Sequence, residues 1–134
     1  MSGLPAVEAA LFGRLASDTG VTARVGQRIF NLTAPAGEPR PHIIFYLGSG
    51  QLPRLTPRLD TNDVYRLEAV ADTRAAADAL RAAIFAALDG KALTLAGASN
   101  WWLMAERTVT LVETREGKQI WRYITDYRVR TSAQ

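Results

Sequence analysis

The sequence predicts an α+β fold, a two-layer sandwich in which two helices pack on one face of a mixed, mostly antiparallel sheet that ends in a long C-terminal β-hairpin. Residues 119–130 alternate apolar and charged side chains, as a strand with one buried face does. Residues 73–89 place apolar side chains at helical spacing. Strand and helix patterns are interleaved without a repeat or a linker, which favours one sheet covered by one layer of helices.

The composition indicates one domain, residues 1–134, without specialised chemistry. Of the 134 residues, 48% are hydrophobic and 22% are charged, which is an ordinary globular balance. The net charge of +3 comes from 16 basic and 13 acidic residues spread along the same segments, so no nucleic-acid-binding face is predicted. The absence of cysteine excludes disulfides, zinc knuckles and cysteine nucleophiles. Because neither a secretory signal nor a membrane-spanning run is visible, we expect a cytoplasmic protein with no membrane partner.

The first segment predicts a helix followed by a turn. Val7, Leu11 and Leu15 recur one helical turn apart, so residues 5–17 should form a helix with its apolar stripe towards the core. Residues 19–26 should form a short turn or a single helical turn.

The middle of the chain predicts strands separated by loops. Residues 28–31 should begin the sheet, and the prolines within residues 35–41 exclude regular structure there. Residues 42–47 form a continuous apolar stretch rich in β-branched and aromatic residues, as in a strand buried on both faces or one that runs through the sheet centre. Residues 48–62 follow neither period and should form a long loop or a protruding hairpin. Residues 63–71 alternate again, which predicts a strand with one solvated face.

Residues 73–89 carry the clearest helical pattern. Asp72 or Thr73 is suited to cap the start of this helix, and Gly90 to end it. The charged side chains lie opposite the apolar stripe, where they can pair. The stripe consists of Ala76, Leu80, Ala83, Ile84, Ala87 and Leu88.

The C-terminal part predicts the long hairpin. Residues 92–95 should return to the sheet as a short strand, and residues 97–100 should form a turn. The hairpin should then run from residues 101–112 to residues 119–130. Residues 113–118 carry opposite charges and a glycine, so they should form its solvated tip.

The polar residues do not assemble into a catalytic or cofactor site. His42 is the single histidine and has no cysteine or carboxylate cluster beside it, so a structural role is expected. Asp60 and Asp63 flank a turn, where aspartate commonly bonds its own backbone. Residues 48–50 resemble a phosphate-binding loop but lack the lysine and the following helix. We therefore predict no enzyme, no metal and no cofactor.

Apolar side chains in unusual places indicate an assembly surface instead. Phe85 lies beside the apolar stripe of its helix, and Trp101 and Trp102 are adjacent, so one indole should lie outside the core. Leucines and arginines also mix in the loop at residues 52–62, and exposed apolar groups beside arginine are typical of subunit interfaces. Packing of each group under a neighbouring loop is the alternative. The candidate interface comprises Arg54, Leu55, Arg58, Leu59, Phe85, Trp101 and Trp102.

Several segments resemble one family of structural proteins. Residues 25–30 are similar to its glycine, arginine and isoleucine entry into the sheet, and residues 41–45 to its proline-led central strand. Residues 72–88 resemble its alanine-rich helix, and residues 121–129 its terminal strand. The family is that of the tail-terminator, tail-completion or neck proteins of long-tailed bacteriophages, prophages and gene transfer agents. The resemblance covers nearly the whole chain except residues 52–62.

The resemblance implies a structural virion protein of the tail or neck, assembled in the host cytoplasm. Such proteins are expected to form a homo-oligomeric ring of six subunits that caps the major tail-tube protein, stops its polymerisation and joins it to a head-proximal connector or stopper protein. DNA would pass through the channel transiently, without sequence-specific binding. No enzymatic activity and no cofactor are implied. The loop at residues 52–62 would contact a neighbouring protein.

Two alternatives remain at this point. Another head–tail joining or baseplate ring protein would use the same ring geometry with other partners. A small-ligand-binding α+β domain would use a pocket left between the two layers of the sandwich.

Overall fold

In the computed structural model, which describes residues 4–49, 61–95 and 98–133, the chain forms three α-helices and five β-strands. In chain order these are α1 (Leu4–Ser17), α2 (Thr19–Val25), β1 (Ile29–Asn31), β2 (His42–Ser49), β3 (Thr61–Ala71), α3 (Arg74–Leu88), β4 (Ala98–Arg115) and β5 (Lys118–Ala133). The predicted α+β fold with a C-terminal hairpin is confirmed. The segment predicted as a turn or single helical turn is the short helix α2, so three helices cover the sheet. Within the described part of the chain, no helix combines the length and the apolar character needed to cross a membrane.

The five strands form one sheet in the order β1-β2-β3-β5-β4. β1 pairs with β2 in parallel, and the other three pairings are antiparallel. The last strand of the chain therefore lies inside the sheet, and β4 lies at its edge. The order also places Tyr65 of β3 directly opposite Tyr127 of β5 on the face that the helices cover.

Hydrophobic burial between the helices and one sheet face holds the two layers together. Leu11 of α1, Val21 of α2 and Leu80 of α3 are fully buried there, as the helical spacing requires. Two helix starts are capped: the side chain of Asp18 accepts a hydrogen bond from Val21 N at 3.0 Å, and Thr73 Oγ1 accepts one from Ala76 N at 3.1 Å. The sheet contributes alternate buried residues to this core. They include Ile43, Phe45, Tyr65, Leu67, Ala69, Leu103, Tyr123, Tyr127 and Val129.

The opposite face of the sheet, here called the open face, has no helix on it among the described residues. The irregular segment after β1 covers one end of it, where Ala34 packs against Ile44 and Val70. His42 is buried beside this segment; its Nδ1 lies 3.2 Å from the carbonyl oxygen of Pro39, and its ring meets Phe30 edge to face. Burial lowers the pKa of His42 below its ordinary value. The histidine thus occupies a packed structural position.

Three local predictions around the hairpin were wrong. Residues 92–95 form no strand. The chain bonds the edge of β4 just before them, where Gly90 N donates to Leu103 O at 2.8 Å and Leu103 N donates to Lys91 O at 2.9 Å. Residues 98–100, predicted as part of a turn, already belong to β4.

The hairpin tip is also tighter than the six residues predicted for it. Arg115 pairs with Lys118, so only Glu116 and Gly117 connect the strands. Both have positive φ, 53° and 79°, which is the arrangement of a type I′ turn and matches the twist of the flanking strands. The long loop predicted at residues 48–62 is shorter as well, since residues 48 and 49 extend β2 and residues 61 and 62 begin β3.

The hydroxyl groups of Tyr65 and Tyr127 are buried without a hydrogen-bond partner among the described residues. Burial raises the pKa of both side chains, so each hydroxyl stays protonated. An unpaired buried hydroxyl costs desolvation energy that a phenyl ring does not. We expect Tyr65→Phe and Tyr127→Phe to leave the free energy of unfolding in urea unchanged or to raise it by up to about 1 kcal/mol.

Tyr123→Phe is the matched control for this prediction. Its hydroxyl accepts a hydrogen bond from Arg74 Nε at 3.3 Å, so the variant should lose about 0.5–1 kcal/mol. A loss of more than about 1 kcal/mol in Tyr127→Phe would contradict the prediction and show that ordered water satisfies that hydroxyl.

Candidate assembly interface

Among the described residues, the outer edge of β4 has hydrogen-bond partners only near its start. Leu103 exchanges hydrogen bonds with Gly90 and Lys91, and Asp89 Oδ1 accepts a hydrogen bond from Ala105 N at 2.9 Å. Because an edge strand offers a row of unpaired backbone groups to any other chain, such a cover prevents unintended pairing. The cover ends at Ala105, where the register between β4 and β5 shifts by one residue before Arg107.

Beyond that bulge, the backbone of β4 presents alternate residues outwards. The two-residue turn requires Arg115 and Lys118 to exchange hydrogen bonds, so the residues that face away from β5 are those at every second position before Arg115. None of the described residues pairs with them. They are Thr114, Val112, Thr110 and Thr108. Residues 107–114 are called the open edge below.

The open edge exposes apolar side chains on both faces of the strand. Val109 and Leu111 lie on the open face and are 42% and 49% exposed, and Val112 lies on the helix side and is 49% exposed. The segment is rich in β-branched residues and contains neither proline nor lysine, the residues that commonly guard an exposed edge. A strand that is open on two faces and one edge is typical of a surface completed by another chain.

The helical layer stops before it reaches the open edge. Arg74 lies 5.9 Å from the ring centre of Trp121, and Arg81 lies 5.3 Å from that of Tyr123. Both aromatic rings are on β5, and the arginines stack on them as cations over π-systems. Charged groups at this border keep α3 over β5 and leave the outer half of the hairpin uncovered.

An ionic network on the open face fixes the position of the hairpin. Asp126 accepts hydrogen bonds from Arg66 Nε at 2.8 Å and from Arg107 Nε at 3.2 Å, which links β3, β5 and β4. Arg122 bonds Glu68 at 2.8 Å and Glu113 at 2.9 Å, which links the same three strands again. The arginine bonds lower the pKa of both Asp126 and Glu113 below their ordinary values. Charge-assisted pairs across three strands hold the open edge as a rigid extension of the sheet.

Most charged side chains of the open face are ion-paired. Each of its five paired arginines has a carboxylate partner within the sheet, and the five arginines share four carboxylates. Pairing with a carboxylate weakens the attraction of an arginine for a polyanion such as DNA, which responds most to unpaired positive charge. The arginines are Arg66, Arg107, Arg115, Arg122 and Arg128, and the carboxylates are Glu68, Glu106, Glu113 and Asp126.

Two predicted interface residues are exposed near the protected start of β4. Phe85 is 44% exposed and Trp102 is 48% exposed. Phe85 lies one turn before Asp89, which bonds Ala105, and Trp102 precedes Leu103, so both residues flank the junction of α3 and β4. Trp101 belongs to β4, but its side chain lies outside the described residues. Four further predicted residues also lie outside them, namely Arg54, Leu55, Arg58 and Leu59.

The open edge itself was missed by the sequence analysis. Its apolar residues Val109, Leu111 and Val112 were read as part of a hairpin, without any sign that this strand lies at the sheet edge. The one available signal was the lack of contrast between its two faces, compared with the clear alternation in β5.

A cavity of about 330 Å³ lies between the segment at residues 32–40 and the open face, not between the helices and the sheet. Its charged lining residues are Glu38, Arg40, Glu68, Arg115 and Arg122. Arg40 pairs with Asp72, Arg122 with Glu68 and Glu113, and Arg115 with Glu113. The described residues contain no group of three or more histidine or acidic side chains placed to hold a metal ion. This cavity therefore lies elsewhere than the pocket expected between the two layers of a small-ligand-binding domain.

Comparisons with known proteins agree with an assembly role. Residues 9–132 match the model of a family described as tail completion protein gp17. A solved chain from the virion of a native gene transfer agent particle has a TM-score of 0.74 and 22% identity, with 96% of each chain covered. A second solved structure has a TM-score of 0.59 and 15% identity, again with 96% of each chain covered. These two likenesses establish the fold. No curated protein matches the chain.

Asp126 should be the most sensitive member of the ionic network. Its side chain is only 10% exposed, and Asp126→Asn would leave Arg66 and Arg107 without their shared anion. We expect this variant to lose about 1–3 kcal/mol of unfolding free energy at pH 7, measured by urea denaturation. The control Glu106→Gln removes a more exposed pair with Arg128 and should cost less than about 1 kcal/mol.

The pH dependence follows from the lowered pKa of Asp126, whose largest cause is the hydrogen bond from Arg66. A carboxyl with a lowered folded pKa stabilises the fold above its ordinary value of 3.8, and this contribution is lost as the pH falls through the folded pKa. The unfolding free energy of Asp126→Asn should therefore fall less than that of the native chain as the pH drops below about 4. Parallel curves for the two proteins would contradict the assignment.

Proposed function

The chain belongs to the tail completion protein gp17 family, and we propose that it forms a homo-oligomeric ring that closes the head-proximal end of a phage-type tail tube. Family membership makes the chain a structural protein of the virion tail, and six is the subunit number that we expect. On this proposal the ring stops polymerisation of the major tail-tube protein. It then presents a surface to a head-proximal connector or stopper protein.

The open edge is the observation that carries this proposal. Its outward backbone groups have no partner among the described residues of one chain, and its apolar side chains are about half exposed. In a closed ring, every subunit can offer the same edge to a neighbour, so that no edge remains unpaired. Phe85 and Trp102 would extend the seam beside the α3–β4 junction. Trp101 stays a predicted member of it.

The ion pairing of the open face supports a passive relation to DNA. A channel through which DNA slides needs a wall that holds phosphate groups only weakly, and pairing with carboxylates weakens the attraction of these arginines for phosphate. We therefore expect DNA in the channel only transiently and without sequence-specific contacts. Neither a cofactor nor a catalytic step is part of the proposed role.

The segment at residues 52–62, which the sequence predicts to be largely a loop, is proposed to make axial contacts with a neighbouring protein. Its mixture of leucine and arginine is the composition of an interface segment, and residues 1–134 act as one domain on this proposal. A different head–tail joining or baseplate ring protein would share the ring but occupy another position. If electron microscopy located the labelled chain at the baseplate instead of at the head-proximal end of the tail, this result would favour that alternative.

Ring formation should depend on the outward N–H of Thr110. Thr110→Pro removes this donor without breaking a bond to β5, because proline is tolerated at edge positions whose N–H faces away from the sheet. We expect the variant to unfold within about 1 kcal/mol of the native chain but to form no annular particles by negative-stain electron microscopy. The native chain should form rings at the head-proximal end of assembled tails.

Two further variants separate the backbone effect from others. Thr110→Ala keeps the N–H and should still form rings. Leu111→Pro removes a donor that faces β5, so it should destabilise the hairpin itself. Normal rings from Thr110→Pro would show that the open edge is not the subunit interface.

The loop at residues 52–62 should matter for docking and not for folding. Replacing Leu55 and Leu59 by Ser removes the apolar part of the proposed axial contact. We expect the double variant to keep its unfolding midpoint and to reduce the fraction of tails joined to heads, counted in electron micrographs. Full head–tail joining with this variant would remove the loop from the proposal.

A further inference from the structure

The open edge is complementary to a second copy of itself. We propose that, before tail assembly, two copies of the chain protect this edge by pairing β4 against β4 in antiparallel fashion, with Thr110 on the two-fold axis. The pairing stands on the geometry of the edge alone. The proposed ring function enters only in the statement that ring neighbours replace the second copy when the tail is completed.

The backbone permits this pairing because the outward residues alternate evenly. Thr108, Thr110 and Val112 all turn their N–H and C=O groups away from β5. Two antiparallel edges centred on Thr110 bring outward residues opposite outward residues. Thr110 then faces Thr110 of the second copy, and Thr108 faces Val112. Each of these facing pairs can exchange two hydrogen bonds.

The side chains select the same register. With Thr110 at the centre, Val109 faces Leu111 of the second copy, and Arg107 faces Glu113. By symmetry each contact occurs twice, so apolar residues meet apolar residues and opposite charges meet at both ends. Cross-strand pairs of these two kinds are the ones that stabilise antiparallel sheets.

Neighbouring registers lack this complementarity. A centre at Leu111 would set Arg107 against Arg115 and Val109 against Glu113. A centre at Val109 would set Arg107 against Leu111. Like charges or a charge against an apolar residue disfavour both arrangements.

The fold also limits how far the pair extends. The bulge before Arg107 and the bond from Ala105 N to Asp89 close the edge on one side, so pairing covers residues 107–113 of each copy. Arg107 is bonded to Asp126 but leaves 67% of its side chain exposed, and its guanidinium has donors for a second carboxylate. An isologous contact of this kind ends at two copies and cannot grow. It therefore keeps an adhesive edge closed until a tail end replaces the second copy.

Disulfide trapping tests the pairing directly, because the chain contains no cysteine. In the purified, unassembled chain, Thr110→Cys should cross-link almost completely under mild oxidation, since facing α-carbons in such a pair are about 5.5 Å apart. Thr108→Cys is the matched control. Its counterpart in the second copy lies four positions along the strand, about 13 Å away, so it should remain at least tenfold less cross-linked.

Charge exchange gives a second measurement. Arg107→Glu sets like charges together at both ends and should raise the dimer dissociation constant about tenfold by sedimentation. The double variant Arg107→Glu with Glu113→Arg should restore dimerisation to near the native value. Equal cross-linking at positions 108 and 110, or a monomeric native chain, would overturn the inference.

The outcomes also separate this inference from the ring proposal. Cross-linked dimers without rings on tails would contradict the proposed function and leave the pairing intact. Rings on tails without Thr110→Cys cross-linking in the free chain would overturn the pairing and leave the ring proposal standing.

Discussion

The architecture of this chain depends on one constraint: backbone groups of a strand need partners, and beyond Ala105 the described residues give β4 partners on one side only. Its first outward groups are bonded at Leu103 and Ala105 by the segment that follows α3. From Arg107 onwards no described residue performs that task, while apolar side chains are exposed on both faces. Water can satisfy the backbone groups of such an edge in a single chain, but the same groups can pair with a strand of any other chain. On the proposed function, further stabilisation of this sheet comes from contacts between chains.

The ionic network makes the edge usable, because it prevents the hairpin from moving independently of the sheet. Asp126 joins Arg66 of β3 to Arg107 of β4, and Arg122 joins Glu68 of β3 to Glu113 of β4. β5, which lies between these strands, carries both bridging residues. Association with a rigid edge loses less conformational entropy than association with a mobile one. On the proposed function, the open face contributes to assembly through the rigidity that its ion pairs give to the open edge.

The sequence predicted the helices and strands whose buried residues recur with a regular period. It did not predict the features that depend on where a strand lies in the sheet. The stripe around Leu80 and Ile84 identified α3, and the alternation around Tyr123 and Tyr127 identified β5. Strand order is set by packing between distant segments, so no local pattern announced that β4 lies outside β5. For the interface, exposure of Phe85 was indicated by its offset from the stripe. Exposure of the apolar residues in the open edge was not, because a strand buried on both faces has the same composition.

On the two proposals, the open edge has to bind a neighbouring subunit in the tail but must not bind other chains before assembly. A symmetric pair of chains can meet both requirements. A head-to-tail contact satisfies every edge only when a ring closes, and incomplete arcs leave adhesive ends. A two-fold symmetric pair gives both edges their partners with two copies, so it is a smaller closed assembly than the ring. At a tube end, bound subunits have a high effective concentration for their neighbours, which favours the ring over the pair without any new contact. The choice between the two states would then depend on where the chain is held, and completion of the tail would follow from its location.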